Sequence, residues 1–130
     1  MTSKRQLLNL ALRIEFSSFA QRVVQIVSTR EPYQHNWHLD VMAHYLQLVA
    51  DGVINRLIIN LPPRYLKSLF ASVALPAFLL VRDPRARIIC ASHSVELAYK
   101  HSRDTRAVLE SISYKRLFPK TQLDRSKIAQ

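Results

Sequence analysis

Apolar residues recur every three or four positions from Lys4 to Ser28, at Leu8, Leu12, Phe16, Phe19, Val23 and the Ile26–Val27 pair. That spacing lines one face of a helix and predicts a single helix over this stretch. Thr29-Arg30-Glu31-Pro32 ends it, because the residue before a proline is pushed out of helical backbone. Leu39, Met42, Ala43, Leu46 and Val49 predict a second helix over Trp37 to Ala50. Asp51-Gly52 closes it, glycine being the usual residue just past a helix end. The period then changes. Arg56-Leu-Ile-Ile-Asn-Leu61 is a short, nearly continuous apolar run, as a buried parallel strand requires, and Pro62-Pro63 stops it. Lys67 to Leu80 is apolar nearly all round and predicts a buried helix, kinked near Pro76. After the turn at Asp83-Pro84, Ala86-Arg-Ile-Ile-Cys-Ala91 predicts a second buried strand. Ser94 to Ile112 predicts a third long helix, capped by Ser94, with Leu97, Ala98, His101, Thr105, Val108 and Ile112 inward. Phe118-Pro119 ends the ordered pattern, and 120–130 is expected to be loop.

Strand, tight loop, helix, strand, helix predicts an α/β domain of parallel strands with flanking helices and an N-terminal helical segment. The expected division is an N-terminal helix over 1–31 and an α/β portion over 32–130. Two strands alone are too few for a stable open sheet.

Composition narrows the classes. The chain has 130 residues, enough for one domain and too few for a complete nucleotide-driven motor. A single glycine argues against collagen-like and hairpin-rich folds. A single cysteine excludes an internal disulfide or a multi-cysteine zinc site, and Cys90, among apolar neighbours, is expected to be an inert buried thiol. The longest apolar run, Leu69 to Val81, is interrupted by Pro76 and falls short of the ~20 residues a bilayer core needs, so no membrane span or signal peptide is expected. Charge is uneven: 5 basic against 4 acidic groups over residues 1–53, but 14 against 5 over 54–130. The basic second part suits a polyanionic partner, either nucleotide phosphate or nucleic acid, or else is a solvated surface.

The junction Leu61-Pro-Pro-Arg-Tyr-Leu-Lys-Ser68 carries the candidate chemistry. A phosphate loop needs backbone N–H groups before a helix N-terminus, a lysine for the β- and γ-phosphates, and a hydroxyl for Mg²⁺. Lys67 and Ser68 stand where that lysine and hydroxyl belong. In the pattern G-x-x-x-x-G-K-[ST], however, the two glycine positions hold Leu61 and Leu66. A side chain there costs roughly 1–2 kcal/mol wherever left-handed backbone is needed.

The stretch Arg56 to Ser68 resembles the glycine-poor Walker A region of phage and prophage terminase large subunits, with its pattern Pro-Pro-Arg-x-Leu-Lys-Ser. Asn36-Trp37-His38 upstream, Ser72 to Ala77, Asp83-Pro84, Ile88 to Ser92, Leu97-Ala98, Ser102-Arg103, Arg106 and Leu117-Phe118-Pro119 extend the resemblance from about Pro32 to Thr121. It implies a RecA-like P-loop fold and part of an ATP-driven motor for viral DNA packaging, with a nuclease in the full-length protein. It implies a phosphate loop of Pro63, Arg64, Tyr65, Leu66, Lys67 and Ser68, in which Lys67 binds the β/γ-phosphates of ATP and Ser68 ligates Mg²⁺. Arg64 is then a cis-acting arginine near the γ-phosphate. Tyr33, Gln34 and Trp37 lie near the adenine, with core packing the competing role for Trp37. Arg103 and Arg106 face DNA or a neighbouring subunit, or form a solvated helix face. The implied partners are double-stranded DNA, the small terminase subunit, the portal and other large-subunit copies, in the cytoplasm of a bacterial host.

An ATPase of this type also needs an acidic strand end for Mg²⁺ and a glutamate to orient water. No apolar run ending in Asp-Glu occurs in the 130 residues, and Ile88 to Ala91 leads into Ser92-His93. The expectation is an N-terminal fragment, from a truncated or decayed prophage gene, that binds ATP without hydrolysing it alone. Two other readings stay open: a small basic nucleic-acid-binding module with no nucleotide site, and a non-functional remnant. His35, His38 and Asp40 are weak metal candidates against capping and surface roles.

Overall fold

The computed structural model describes residues 3–123. Its helices are α1 (Lys4–Ile14), α2 (Phe16–Val27), α3 (Trp37–Ala50), a π-helical turn (Leu69–Ala74) running directly into α4 (Leu75–Arg82), α5 (Val95–Glu110) and α6 (Ile112–Leu117). The hydrophobic core is built around α2, which packs against α1, α3, the π turn, α4 and α5. Phe16, Phe19, Ala20, Val23 and Val24 of α2 are all buried.

The helix expected over 4–28 is two helices, broken at Glu15 in extended backbone (φ −111°, ψ 114°). The break rests on a distant side chain: the Phe16 N–H donates to Gln47 Oε1 of α3 at 2.6 Å. The second turn starts afresh there, and the fully buried Phe16 ring meets Phe78 edge-on at 5.5 Å between centroids. α1 is held by a capping box between Ser3 and Gln6. Its Arg13 donates to the Leu117 carbonyl at the end of α6.

α3 keeps the expected bounds, with Leu39, Met42, Ala43 and Leu46 buried. Asn36 accepts from the Trp37 N–H at its start, and Gly52 follows its end at φ 72°. The expected kink near Pro76 takes the form of the π turn. Pro76 has no N–H to give to the helical ladder, and just before it the Leu75 N–H reaches back five residues to the Phe70 carbonyl. Ser94 caps α5 by accepting from the Leu97 N–H at 3.2 Å. The helix stops at Glu110, and Ser111 starts α6, so Ile112 belongs to another helix and is exposed. Residues 121–123 are irregular, and 124–130 of the expected terminal loop lie outside the described residues.

The expected α/β, RecA-like arrangement of parallel strands is corrected: 62% of the described residues are helical and none is in a strand. Both predicted strands are irregular segments without a ladder partner among the described residues. At 56–61 the side chains alternate: Leu57, Ile59 and Leu61 pack against the helical core, whereas Ile58 is 86% exposed. At 86–91 Ile88 is half-buried and Ile89 is 95% exposed. A continuously apolar run becomes a central strand only where neighbours cover both of its faces and both of its edges. Here the helices cover one face. Cys90 is consequently exposed, not buried as expected. Among the described residues no helix is long and apolar enough to cross a membrane.

Candidate functional site

The loop Leu61 to Ser68 is anchored at both ends, since Leu61 and Leu66 pack against the core. Between the anchors the backbone turns through left-handed conformations at Arg64 (φ 69°) and Leu66 (φ 60°), the two non-glycine residues of this kind among the described residues. Leu66 stands at the second glycine position of the sequence pattern and is left-handed with its side chain in place. Each such residue costs roughly 1–2 kcal/mol, and the packing of Leu61 and Leu66 holds the strained turn. Arg64 was not expected to be left-handed.

Lys67 and Ser68 open the helical stretch that continues into the π turn. The half-buried Lys67 folds back, its Nζ donating to the Leu61 carbonyl at 3.5 Å. Pro63 and Arg64 form a hydrogen-bonded turn, and the N–H groups of Arg64 and Leu66 donate to no other described residue. Alternating left-handed backbone with free N–H groups is the arrangement of the concave nests that bind anions.

The loop walls a cavity of about 480 Å³. Pro63, Arg64, Tyr65, Leu66, Lys67 and Ser68 all line it, so the structure brings the expected loop residues together. The opposite wall was not anticipated: Lys100, His101 and Asp104 of α5 line the same cavity. Lys100 Nζ pairs with Asp104 Oδ2 at 2.8 Å, one helical turn apart. The one signal for them in the sequence is this i, i+4 charge spacing, which is common on solvated helices.

The remaining expected residues fall elsewhere. Tyr33 lines a separate shallow depression with Gln25, Ser28 and Pro32. Burial raises its phenol pKa, with Asp40 adding to the rise and a hydrogen bond with Gln21 opposing it. Gln34 is exposed. Trp37 is 74% exposed, which removes the core-packing role, and its ring meets His38 edge-on at 6.4 Å. His38 in turn meets Tyr65 of the loop at 5.1 Å, and its buried Nε2 has no hydrogen-bond partner among the described residues. Trp37 is therefore linked to the loop through His38, a connection the sequence reading missed. Arg103 is exposed on α5, and Arg106 pairs with Glu110 at 3.0 Å.

Among the described residues no group of three His, Cys, Asp or Glu side chains is placed to hold a metal, and His35 pairs with Asp40 at 2.9 Å. Mg²⁺ does not require such a cage, because it keeps several waters and takes phosphate oxygens. The Ser68 hydroxyl, exposed on the cavity wall, fits the role of its one protein ligand beside a bound polyphosphate. The ion would supply charge neutralisation there.

No family model matches the chain, and no curated protein or solved structure matches it either.

Proposed function

We propose that the chain binds the phosphate chain of ATP, with Mg²⁺, in the cavity between the Leu61–Ser68 loop and α5. The observation that carries this reading is the lysine-closed, left-handed loop whose free N–H groups and Lys67 border one cavity. Backbone N–H groups and a lysine are the donors that phosphate oxygens take, and the helix start behind them favours negative charge. Lys67 leaves the Leu61 carbonyl for the β/γ-phosphates, Ser68 meets Mg²⁺ and Arg64 lies over the outer phosphate. The resemblance to terminase large subunits supports the same assignment, with ATP-driven DNA packaging as the activity that the resemblance implies. Double-stranded DNA is the polymer partner of that reading, with exposed Arg103 as its contact on α5.

Binding without turnover is the expected behaviour. The carboxylate lining the cavity is that of Asp104, and it is tied to Lys100. Isothermal titration of the purified chain with ATP and Mg²⁺ tests the reading. Saturable binding that falls at least 10-fold in Lys67→Ala supports it; no saturable binding, or equal binding by Lys67→Ala, overturns it. Steady phosphate release abolished by Lys67→Ala would overturn the absence of turnover while leaving the site in place.

A further inference from the structure

Lys100 and Asp104 belong to no part of the phosphate-loop pattern, yet they line the same cavity as the loop. Their pairing is well formed, at 2.8 Å, and the Asp104 side chain is only 21% exposed whereas that of Lys100 is 58% exposed. The two partners are thus unequally fixed. Asp104 is held in the wall, and Lys100 reaches it on a flexible four-carbon stem with solvent around it.

The cavity already carries Arg64 and Lys67 beside the loop's free N–H groups. Arg64, Lys67, Lys100 and Asp104 line one cavity of about 480 Å³, and a charge within roughly a Debye length of an occupant, ~10 Å at 0.1 M salt, acts on it. A polyphosphate entering it meets three cations and one carboxylate. The Lys100 ammonium then has two anions within reach, and the one carrying more charge is the polyphosphate. The Asp104 carboxylate, left without its cation, stands beside phosphate oxygens of the same sign. That repulsion is large for a metal-free triphosphate and small for one whose charge Mg²⁺ has partly neutralised.

We infer that Lys100 is a second phosphate-binding cation of this cavity, kept on Asp104 while the cavity is empty, and that Asp104 makes the site prefer metal-complexed over metal-free polyphosphate. The inference rests on the phosphate reading of the loop. It adds a selectivity that the loop alone does not have, because a lysine and backbone N–H groups bind the more highly charged, metal-free form at least as well.

The test is isothermal titration of the whole chain with inorganic tripolyphosphate and with ATP, each with and without Mg²⁺. Wild type, Asp104→Asn, Lys100→Ala and Lys67→Ala are compared, with helical circular dichroism confirming that each is folded. Asp104→Asn keeps the shape of the side chain and frees Lys100. It is expected to tighten metal-free binding about 3- to 10-fold, the size of one charge contact at roughly 4 Å in water-like surroundings, with less than half that change when Mg²⁺ is present. Lys100→Ala is expected to weaken both forms several-fold. If Lys67→Ala abolishes binding while Asp104→Asn and Lys100→Ala match wild type, the loop binds phosphate and the inference is wrong. If Asp104→Asn tightens both forms equally, Lys100 is a phosphate ligand and Asp104 sets no metal preference, which overturns the second half of the inference. If wild type binds neither probe, or Lys67→Ala binds as well as wild type, the phosphate reading itself fails and the inference falls with it. Lys100→Ala gives a second reading should Asp104→Asn not fold.

Discussion

The Lys67 ammonium donates to the carbonyl of Leu61, six residues earlier, and so closes the loop on itself. At 3.5 Å the bond is long and only partly shielded from water, so it contributes little to stability. Lys67→Ala should leave the melting temperature within a degree or two of wild type while removing nucleotide binding. Thermal melting beside titration separates the two effects.

The strain at Arg64 gives a clean comparison. Arg64→Gly and Arg64→Ala both remove the guanidinium, but only glycine takes φ 69° without steric cost. Arg64→Gly should be the more stable by about 1 kcal/mol, or a melting temperature higher by roughly 4 °C. Equal melting of the two variants would mean that the left-handed turn at this residue is not kept in solution.

Gln47 ties α3 to the start of α2 through the Phe16 N–H. Gln47→Ala leaves that donor unsatisfied near the core and should cost about 1–3 kcal/mol. Gln47→Glu keeps an acceptor oxygen and should recover most of the loss. Urea unfolding of both variants at neutral pH reads the difference directly.

Phe78 is fully buried, meets Phe16 at 5.5 Å and Phe19 at 5.4 Å, and lies under the Arg82 guanidinium at 5.4 Å. Phe78→Ala should cost about 3–5 kcal/mol, a large part of what a domain of this size has. Loss of a cooperative thermal transition, or a fall in its midpoint of more than 10 °C, is the expected result.

Burial pushes the Tyr114 phenol up to about 12 from 10.0, with a hydrogen bond involving Thr121 opposing the rise, and its hydroxyl donates to the Ala77 carbonyl at 3.2 Å. The folded state therefore favours the neutral form. Its contribution is complete below pH 10 and is lost as the pH climbs from 10 towards 12. Asp51 behaves in the opposite sense: the hydrogen bond from Arg82 lowers its pKa, so its contribution is present above the ordinary carboxylate range and fades as the pH falls through the folded value. Melting followed against pH should show an alkaline decline that Tyr114→Phe flattens.

The legible part of the molecule is what neighbouring residues decide among themselves. α3 begins and ends where Asn36 and Gly52 mark it, and Ser94 caps α5 as its place before the helix indicates. Of the two leucines in glycine positions, Leu66 is left-handed and Leu61 is not. What was not legible depends on residues far apart in the chain. The break at Glu15 comes from Gln47, 31 residues past Phe16. Lys100 and Asp104 of the wall lie more than 30 residues beyond the loop. The apolar runs at 56–61 and 86–91 were read as buried strands and neither is one, because side-chain pattern does not report whether another strand lies beside the segment.

Those unpaired segments make solubility depend on salt. With Ile58 and Ile89 turned outward, each offers a template on which another molecule's extended backbone fits. Arg56, Arg85 and Arg87 flank or interrupt them and act as gatekeepers, keeping neighbouring copies apart by repulsion. That protection shrinks as the Debye length falls to about 3 Å in molar salt, so aggregation should set in first where the buffer is most concentrated.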